Sequence, residues 1–328
     1  MMSDTANAFA GFLTEREPRW NGTIFVDRTL ESFENSDDAA VLKTLNAVAR
    51  EKGWREGVKA AHGASMLDYV DNADRLIFLP LLPLEPHHHI LEIGPGLGQI
   101  SIPIARMVQS VDALEVVAAQ AEFCTERARQ EGVSNVRFTA GGDQCLLPYE
   151  DRSFDGVVLN LVLEWCGSRL PHMSHHAAHQ RLLAEIARVL KPGGFVYLVT
   201  KNRYGLRCLT GGRDEHIRGM RFGSALPRWL AEIVAGKSRQ AGYLHSYNEL
   251  RGMIGDAGFH CIKSYWAAPE MRWPSKVLAL DETLGSERAK GGFAEGENQR
   301  TSWIMRMLPD RMIKHFTPGL TFLARKIS

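Results

Sequence analysis

The sequence has no excess of either charge, no paired-cysteine motif and no long apolar run. Lys and Arg total 39 against 38 for Asp and Glu, so no overall basic field favours a nucleic-acid backbone as partner. The five cysteines lack C-x-x-C spacing, which favours a reduced compartment over a disulfide framework. The most apolar stretch, 76–84, holds two prolines and is far shorter than the roughly 20 residues of a membrane helix. The first twenty residues lack the pattern of a signal peptide. We therefore expect a cytoplasmic protein with no membrane span and no nucleic-acid partner.

Histidine is plentiful, but its spacing does not predict a metal site. His87, His88 and His89 are adjacent, and neighbouring side chains of an extended segment alternate in direction, so the three cannot converge on one ion. The second cluster, between 172 and 179, has no sulfur or carboxylate ligands nearby in the sequence. We expect no bound metal.

A glycine-rich turn is the most informative stretch of the chain. Residues 91–98 read L-E-I-G-P-G-L-G. Residues 90–93 form a short apolar run with β-branched residues, and 99–108 have helical spacing. The pattern predicts strand, tight turn and helix. Glycines allow positive φ and a close approach to a ligand, and a helix start offers N–H groups to an anion. The turn therefore predicts a binding loop for a nucleotide or a carboxylate.

The spacing of the glycines distinguishes between cofactors. A dinucleotide fingerprint G-x-G-x-x-G needs a glycine at 99, but Gln99 stands there and the third glycine is Gly98. A nicotinamide-dependent oxidoreductase is therefore a disfavoured alternative. The pattern E-x-G-x-G-x-G, which begins at Glu92, resembles motif I of class I S-adenosylmethionine (SAM) methyltransferases. In that family the acidic residue lies close to the amino end of the methionine moiety.

Four later segments are similar to the same family in order and approximate distance. They are 110–115, a second strand ending in an acid; 136–144, a third strand and loop; 147–160, the run into strand four; and 188–194, the turn before strand five. An acid at the end of strand two can accept both ribose hydroxyls, and the family places an acid after strand three against the adenine amino group. The resemblance covers about residues 65–265.

The resemblance implies an α/β, doubly wound fold with a seven-stranded, mostly parallel sheet flanked by helices. We predict a helical cap without strands over 1–85 and a SAM-binding domain over 86–328, with acceptor-lid insertions at about 207–244 and 267–318. Helical spacing predicts helices over 37–52, 64–79 and 225–235. Ser246 and Glu249 form a capping-box pattern for a further helix, which Gly258 would end. We expect the Gly-rich, charged segment 285–300 to be mobile.

The resemblance assigns SAM binding to residues within these motifs, and the chemistry of arginine adds one candidate from the cap, for which a surface role is the alternative. A guanidinium holds a carboxylate in bidentate fashion, so Arg75 is a candidate partner of the methionine carboxylate. The full set of predicted cofactor residues is Glu92, Gly94, Pro95, Gly96, Glu115, Asp143, Gln144, Asn160 and Arg75.

Methyl transfer to an alcohol or phenol benefits from a general base. His245 is the first candidate for that role, followed by Glu164, His172 and Tyr204. Tyr204 belongs to the segment K-N-R-Y-G-L at 201–206, which looks like an acid-Asn-Arg-aromatic-Gly segment of small-molecule and sugar methyltransferases. Lys201 stands here where that subgroup commonly has the acid.

We therefore expect a SAM-dependent enzyme that O-methylates a small hydroxylated metabolite or sugar and releases S-adenosylhomocysteine (SAH). N- or C-methylation of a small molecule is an alternative. A non-enzymatic alternative is a SAM-binding regulatory subunit without catalysis. The expected partners are a small-molecule acceptor and a second copy of the chain in a homodimer.

Overall fold

A ten-stranded sheet forms the centre of the molecule. The computed structural model describes residues 9–27, 30, 36–168, 170, 172–217, 219–235, 242–269, 271, 273–280 and 299–327. The strands are β1 Arg19–Trp20, β2 Phe25–Val26, β3 His89–Ile93, β4 Ser110–Glu115, β5 Val136–Ala140, β6 Phe154–Asn160, β7 Leu190–Lys201, β8 Arg213–Asp214, β9 Met220–Arg221, β10 Phe259–Ala268, β11 Lys276–Ala279 and β12 Gly319–Lys326. In the sheet they follow the order β1-β2-β5-β4-β3-β6-β7-β12-β10-β11, while β8 and β9 form a separate pair.

The sheet is mostly parallel, as expected, but the predicted number of strands is wrong. Strands β2, β5, β4, β3, β6 and β7 pair in parallel, and the remaining neighbours are antiparallel. The seven predicted strands are present, and β1, β2 and β11 extend the sheet to ten at its two edges. The expectation of no strand within 1–85 is also wrong, because β1 and β2 lie there. Each has two residues, which is too short for an alternating pattern to show in a sequence.

The described helices are α1 Ser36–Lys52, α2 Trp54–His62, α3 Ala64–Val70, α4 Ser101–Ala105, α5 Ala118–Gln130, α6 His175–Val189, α7 Leu206–Leu209, α8 Arg228–Ala235, α9 Tyr247–Asp256, α10 Gln299–Met307 and α11 Asp310–Phe316. The helix predicted over 64–79 ends at Val70, because the Asn72 side chain accepts a hydrogen bond from the Asp74 N–H and starts a separate 3-10 turn. The capping box of Ser246 and Glu249 is confirmed at the start of α9.

Gly258 ends α9 with φ +90, the left-handed conformation that favours glycine. The helix predicted over 225–235 begins later, at Arg228, because Leu226 precedes a proline and is extended there. Of the segment predicted to be mobile, residues 285–298 lie outside the described residues, and 299–300 begin α10.

Two apolar cores cover the two faces of the sheet. Successive residues of β3 alternate between them, with Ile90 in one core and Leu91 in the other. The first core includes side chains of α1, α2, α4 and α5, and the second includes those of α6 and α9. Because β3 to β7 are parallel, the loops that follow them meet at one edge of the sheet. Within the described ranges, no helix combines the length and apolarity needed to cross a membrane.

Candidate active site

The glycine turn after β3 has the backbone that only glycine adopts readily. Gly94, Gly96 and Gly98 have φ of +72, +58 and +80. A Cβ at Gly94 would lie 2.3 Å from Cγ2 of Val162, which follows β6. The Pro95 carbonyl accepts a hydrogen bond of 2.9 Å from the Gly98 N–H and closes the turn. The turn therefore needs glycine at 94 both for its dihedral angle and for its packing.

Helix α5 holds this turn from behind. The Cys124 thiol donates to the Gly96 carbonyl over 3.2 Å, and Nη1 of Arg127 donates to the Leu97 carbonyl over 2.8 Å. The Arg127 guanidinium also lies 3.9 Å from the ring centroid of Trp54 in α2. The N-terminal helices thus brace the turn through one buried arginine. Arg127 is not among the predicted site residues, because nothing in its local pattern distinguishes it from a surface arginine.

Glu115 closes the turn from the end of β4. Its Oε2 accepts from the Gly96 N–H at 3.2 Å and its Oε1 from the Val117 N–H at 3.1 Å. Burial raises the pKa of this carboxyl to about 7, although the backbone hydrogen bonds act in the opposite direction. A carboxylate oxygen has two lone pairs, so each oxygen retains one for a hydroxyl donor. A ribose has two neighbouring hydroxyls and can therefore donate one hydrogen bond to each of these oxygens.

Glu92 lies beside it on β3, also buried. The Ser101 hydroxyl, at the start of α4, donates to Glu92 Oε2. Burial raises the pKa of Glu92 to about 7, and the nearby charge of Glu115 acts in the same direction. Two buried acids next to a glycine turn form an environment that favours a cationic or hydroxyl-bearing ligand.

The loop after β5 supplies the next group of predicted residues. Asp143 is buried, and Nε2 of Gln144 donates to its Oδ2 over 3.1 Å. The Gly141 N–H donates to the Glu115 carbonyl over 2.8 Å and joins this loop to β4. Asn160, the last residue of β6, is half-buried at the same edge.

Arg75 lies in a 3-10 turn of the N-terminal region and is buried. Its guanidinium stacks over the ring of Tyr69, 3.6 Å from the ring centroid. The Tyr69 ring in turn meets Trp273 edge-on, with the ring centroids 6.1 Å apart. A role of Arg75 toward the methionine carboxylate stays a prediction.

Glu164 lies in the turn after β6 and is 1% exposed. The Thr200 hydroxyl of β7 donates to Glu164 Oε2 over 2.7 Å, and burial raises the pKa of the carboxyl. The Glu164 carbonyl accepts from the Tyr243 N–H at 2.7 Å. Through that bond the segment before α9 is fixed to the turn after β6.

His245 is buried in a chain of hydrogen bonds that includes His179 of α6. Nδ1 of His179 lies 2.8 Å from Nε2 of His245, and Nε2 of His179 lies 3.1 Å from the Cys166 carbonyl. Because a carbonyl only accepts, His179 carries its proton on Nε2 and accepts at Nδ1. His245 then carries its proton on Nε2 and has a lone pair on Nδ1. Burial lowers the pKa of His245 to about 4, so the ring is neutral at neutral pH.

The remaining two predicted catalytic residues are less enclosed. His172 is exposed in the loop before α6. Tyr204 is half-buried, and its N–H donates to Asn202 Oδ1 over 3.1 Å. Lys201, at the position where the subgroup commonly has an acid, forms an ion pair with Glu215. That acid comes from the insertion, so the charge of Lys201 is balanced by a residue distant in sequence.

No group of three or more His, Cys, Asp or Glu side chains is placed to hold a metal ion within the part of the chain that the structure describes. In the second histidine cluster, His179 pairs with His245, and the His175 ring stacks on Tyr243 with centroids 5.4 Å apart.

Residues 91–198 match the family model described as a methyltransferase domain. The chain is 32% identical over 165 residues to the biotin biosynthesis bifunctional protein BioHC of Cellvibrio japonicus, covering 50% of this chain and 28% of that protein. It is 25% identical over 206 residues to the sterol 4-C-methyltransferase strm-1 of Caenorhabditis elegans, covering 62% of this chain and 58% of that protein. The chain thus spans less than two thirds of the length of these curated relatives.

Among solved structures, the YcgJ protein of Bacillus subtilis is 16% identical, with a TM-score of 0.48, and the match covers 78% of this chain and 98% of that one. The family match spans the glycine turn, Glu115 and the loops after β5 and β6. It therefore coincides with the parallel strands whose ends form the candidate site. Residues 91–198 of this chain therefore match a methyltransferase domain.

Proposed function

We propose that this protein transfers the methyl group of SAM to a hydroxyl oxygen of a small molecule. The observation that carries the proposal is Glu115, whose two oxygens are fixed by the N–H groups of Gly96 and Val117 beside a turn with positive φ. A carboxylate held in this way is ready to accept two hydroxyl donors without reorganisation.

Five of the predicted cofactor residues have a defined task in this proposal. Glu115 accepts the ribose hydroxyls, and Asp143 accepts from the adenine amino group. Glu92, fixed by Ser101, attracts the amino end of the methionine moiety. Gly94 and Gly96 let the backbone approach the ligand closely. When bound, SAM supplies a methyl group that is already activated for transfer, so the protein mainly has to position the two reactants and exclude water.

The acceptor is proposed to bind beyond the ends of β6 and β7. Glu164 is fixed by Thr200 there, and its buried carboxyl orients a donor group of the acceptor. Tyr204 lies in the segment between β7 and α7 and forms part of the wall of the acceptor site. His245 has an acceptor lone pair on Nδ1 and is available as a base, although its lowered pKa makes it a weak one.

C-methylation is the second candidate function. It is favoured by two similar proteins named as C-methyltransferases, the sterol 4-C-methyltransferase of Caenorhabditis elegans and the botryococcene C-methyltransferase of Botryococcus braunii, the latter 24% identical over 199 residues. An alkene acceptor would have to lose a proton from carbon after methylation, so this function also needs a base. The two functions differ in the atom that carries the new methyl group.

The test is methyl transfer from isotope-labelled SAM to a panel of phenol, catechol, octanol, cholesterol and squalene, with products identified by mass spectrometry. We expect a labelled methyl ether from a hydroxyl compound and none with Glu115→Ala. A carbon-bound methyl group would support the second candidate. SAM binding with no transfer to any compound would contradict both and favour a regulatory subunit without catalysis.

A further inference from the structure

A buried Asp–His pair lies in the insertion that follows β7. Asp214 is the last residue of β8, and His216 lies in the 3-10 turn Glu215–Ile217. Their exposed fractions are 2% and 1%. Asp214 Oδ1 accepts from the backbone N–H of His216 and from its Nδ1, both at 2.9 Å. One carboxylate oxygen therefore fixes the backbone and the ring of the same histidine.

This geometry determines where the ring proton lies. A carboxylate oxygen only accepts, so Nδ1 of His216 carries the proton and Nε2 keeps its lone pair. Nε2 of His216 is buried and has no hydrogen-bond partner among the residues that the structure describes. Buried polar atoms in native proteins are almost always paired. A basic nitrogen that is oriented by a carboxylate and left without a protein partner indicates a ligand that donates a hydrogen bond.

The pair lies at the edge of the sheet where the acceptor is expected. The His216 ring contacts Trp165, in the turn after β6, with ring centroids 4.7 Å apart. The ion pair between Glu215 and Lys201 fixes the same 3-10 turn to the end of β7. Both strand ends belong to the edge that also carries the glycine turn.

Gly242 allows the close packing of this region. A Cβ at Gly242 would lie 2.4 Å from Cδ2 of His216 and 2.9 Å from the Glu164 carbonyl oxygen. Residues of the turn after β6, of the insertion and of the segment before α9 thus meet around one imidazole. Such convergence of distant segments is typical of a binding site.

We propose that His216 is the general base of the methyl transfer and that Asp214 is its positioning residue. This inference rests on the proposed function. The acceptor oxygen forms a bond to the methyl carbon, and the carbon–sulfur bond breaks with its electron pair going to sulfur. The hydroxyl proton goes to Nε2 of His216, and the resulting imidazolium is stabilised by the Asp214 carboxylate.

The surroundings distinguish His216 from His245. His216 faces the Asp214 carboxylate and, nearby, the Glu164 carboxyl, while Lys201 is paired with Glu215. His245 faces His179 at Nε2, and its charged form is opposed by burial and by Arg228. Of these two histidines, His216 is the one with an acid in a direct hydrogen bond among the described residues, and this acid stabilises the proton that His216 gains.

The test compares His216→Ala, His216→Gln and Asp214→Asn with the control His87→Ala. The His87 side chain is 71% exposed and precedes the amino end of β3, on the opposite edge of the sheet. Substrates are the four hydroxyl compounds named above. We expect kcat to fall by about 100-fold or more in both His216 variants and by about tenfold in Asp214→Asn. Affinity for SAH should stay within about threefold of wild type in all of them.

Two further readouts separate a base from a structural residue. In wild type, kcat/KM should fall with decreasing pH through one protonation, and His216→Ala should lack that dependence. Nitrogen NMR of histidine-labelled protein should show His216 protonated at Nδ1 and bare at Nε2, without any substrate. If His216→Ala unfolds, His216→Gln still tests the inference, because its side-chain amide can donate a hydrogen bond to Asp214.

Equal kcat in wild type and a folded His216 variant would overturn the inference, as would a proton on Nε2 in the NMR spectrum. If SAM binds but no hydroxyl compound is methylated, the base role is overturned together with O-methylation. Failure of wild type to bind SAM is a different result, because it contradicts the proposed function at the cofactor step.

Discussion

The proposed cofactor side and the proposed acceptor side of this site are built from opposite chemistry. Around the glycine turn the buried polar groups are acids, and burial raises the pKa of Glu92 and Glu115 to about 7. Around the insertion they include histidines, and burial lowers the pKa of His245 to about 4. Burial disfavours the charged form in both cases. The first side therefore offers acceptors for hydroxyl and ammonium groups, and the second offers the neutral imidazole of His245.

The largest effect expected is on the cofactor side, from Gly94→Ala. The substitution places a Cβ 2.3 Å from Val162 and requires φ +72 of alanine. We expect SAH affinity to fall more than about 100-fold, because steric overlap and backbone strain together cost on the order of 3 kcal/mol at the turn. Calorimetric titration with SAH measures the loss.

The matched control is Gly132→Ala. Gly132 has nearly the same φ, +69, but nothing lies within 4 Å of its Cβ position. It should lose only about 1–2 kcal/mol of unfolding free energy from strain, with SAH affinity unchanged. Equal affinity of the two variants for SAH would contradict the role of the turn.

On the acceptor side, His245→Ala should act mainly on stability. The substitution removes the donor to His179 Nδ1 and leaves a buried acceptor unpaired, which costs about 2 kcal/mol. Urea unfolding measures this loss, with His260→Ala, exposed on β10, expected to stay within about 0.5 kcal/mol of wild type. If His245→Ala weakened SAH binding as much as Gly94→Ala does, the assignment of His245 to the acceptor side would be contradicted.

His245→Ala should also change how the stability of the protein depends on pH. The pKa of His245 is lowered from 6.5 to about 4, so between those values the unfolded chain binds a proton that the folded protein does not. Stability is therefore lost as pH falls from 6.5 toward about 4. His245→Ala should lack this part of the acid sensitivity.

The smallest effect is the pH dependence of SAM binding. If the Glu115 carboxylate accepts the ribose hydroxyls, affinity for SAM should fall by up to about tenfold for each pH unit below its pKa of about 7. The stability of the free protein depends on pH in the opposite direction. Between pH 4.5 and about 7 the folded state retains a proton on Glu115 that the unfolded chain releases. Stability therefore falls as pH rises through that window.

Glu115→Gln separates these two effects. It removes the buried charge, so above pH of about 7 the free variant should be more stable than wild type while it binds SAM more weakly. Thermal unfolding and calorimetry measure the two changes. A variant that is both less stable and unchanged in affinity would contradict the assignment of Glu115.

The sequence predicts the local structure around the glycine turn well because its signals are local. The glycine pattern, the strand ending at Glu115 and the capping box at Ser246 are each contained in a few consecutive residues, and the structure has the strand, the turn and the cap where expected. The two-residue strands β1 and β2 could not be predicted, since their pairing depends on the distant edge of β5.

The acceptor side depends on contacts between distant residues. His179 and His245 are 66 residues apart, and the orientation of each ring follows from the other. Asp214 and His216 are close in sequence, but their burial and the bare Nε2 depend on Trp165 and Gly242. No local pattern distinguishes them from solvated residues of an insertion, so a D-x-H pair has meaning only once the fold is known.

The most direct test of the account is calorimetric titration of wild type and Glu115→Ala with SAM and SAH, with NAD as the control ligand. We expect micromolar binding of SAM and SAH to wild type, a loss of about 10-fold to 100-fold in Glu115→Ala and no binding of NAD. Binding of NAD without SAM, or equal SAM affinity in the two proteins, would contradict the assignment of the glycine turn and Glu115 to SAM.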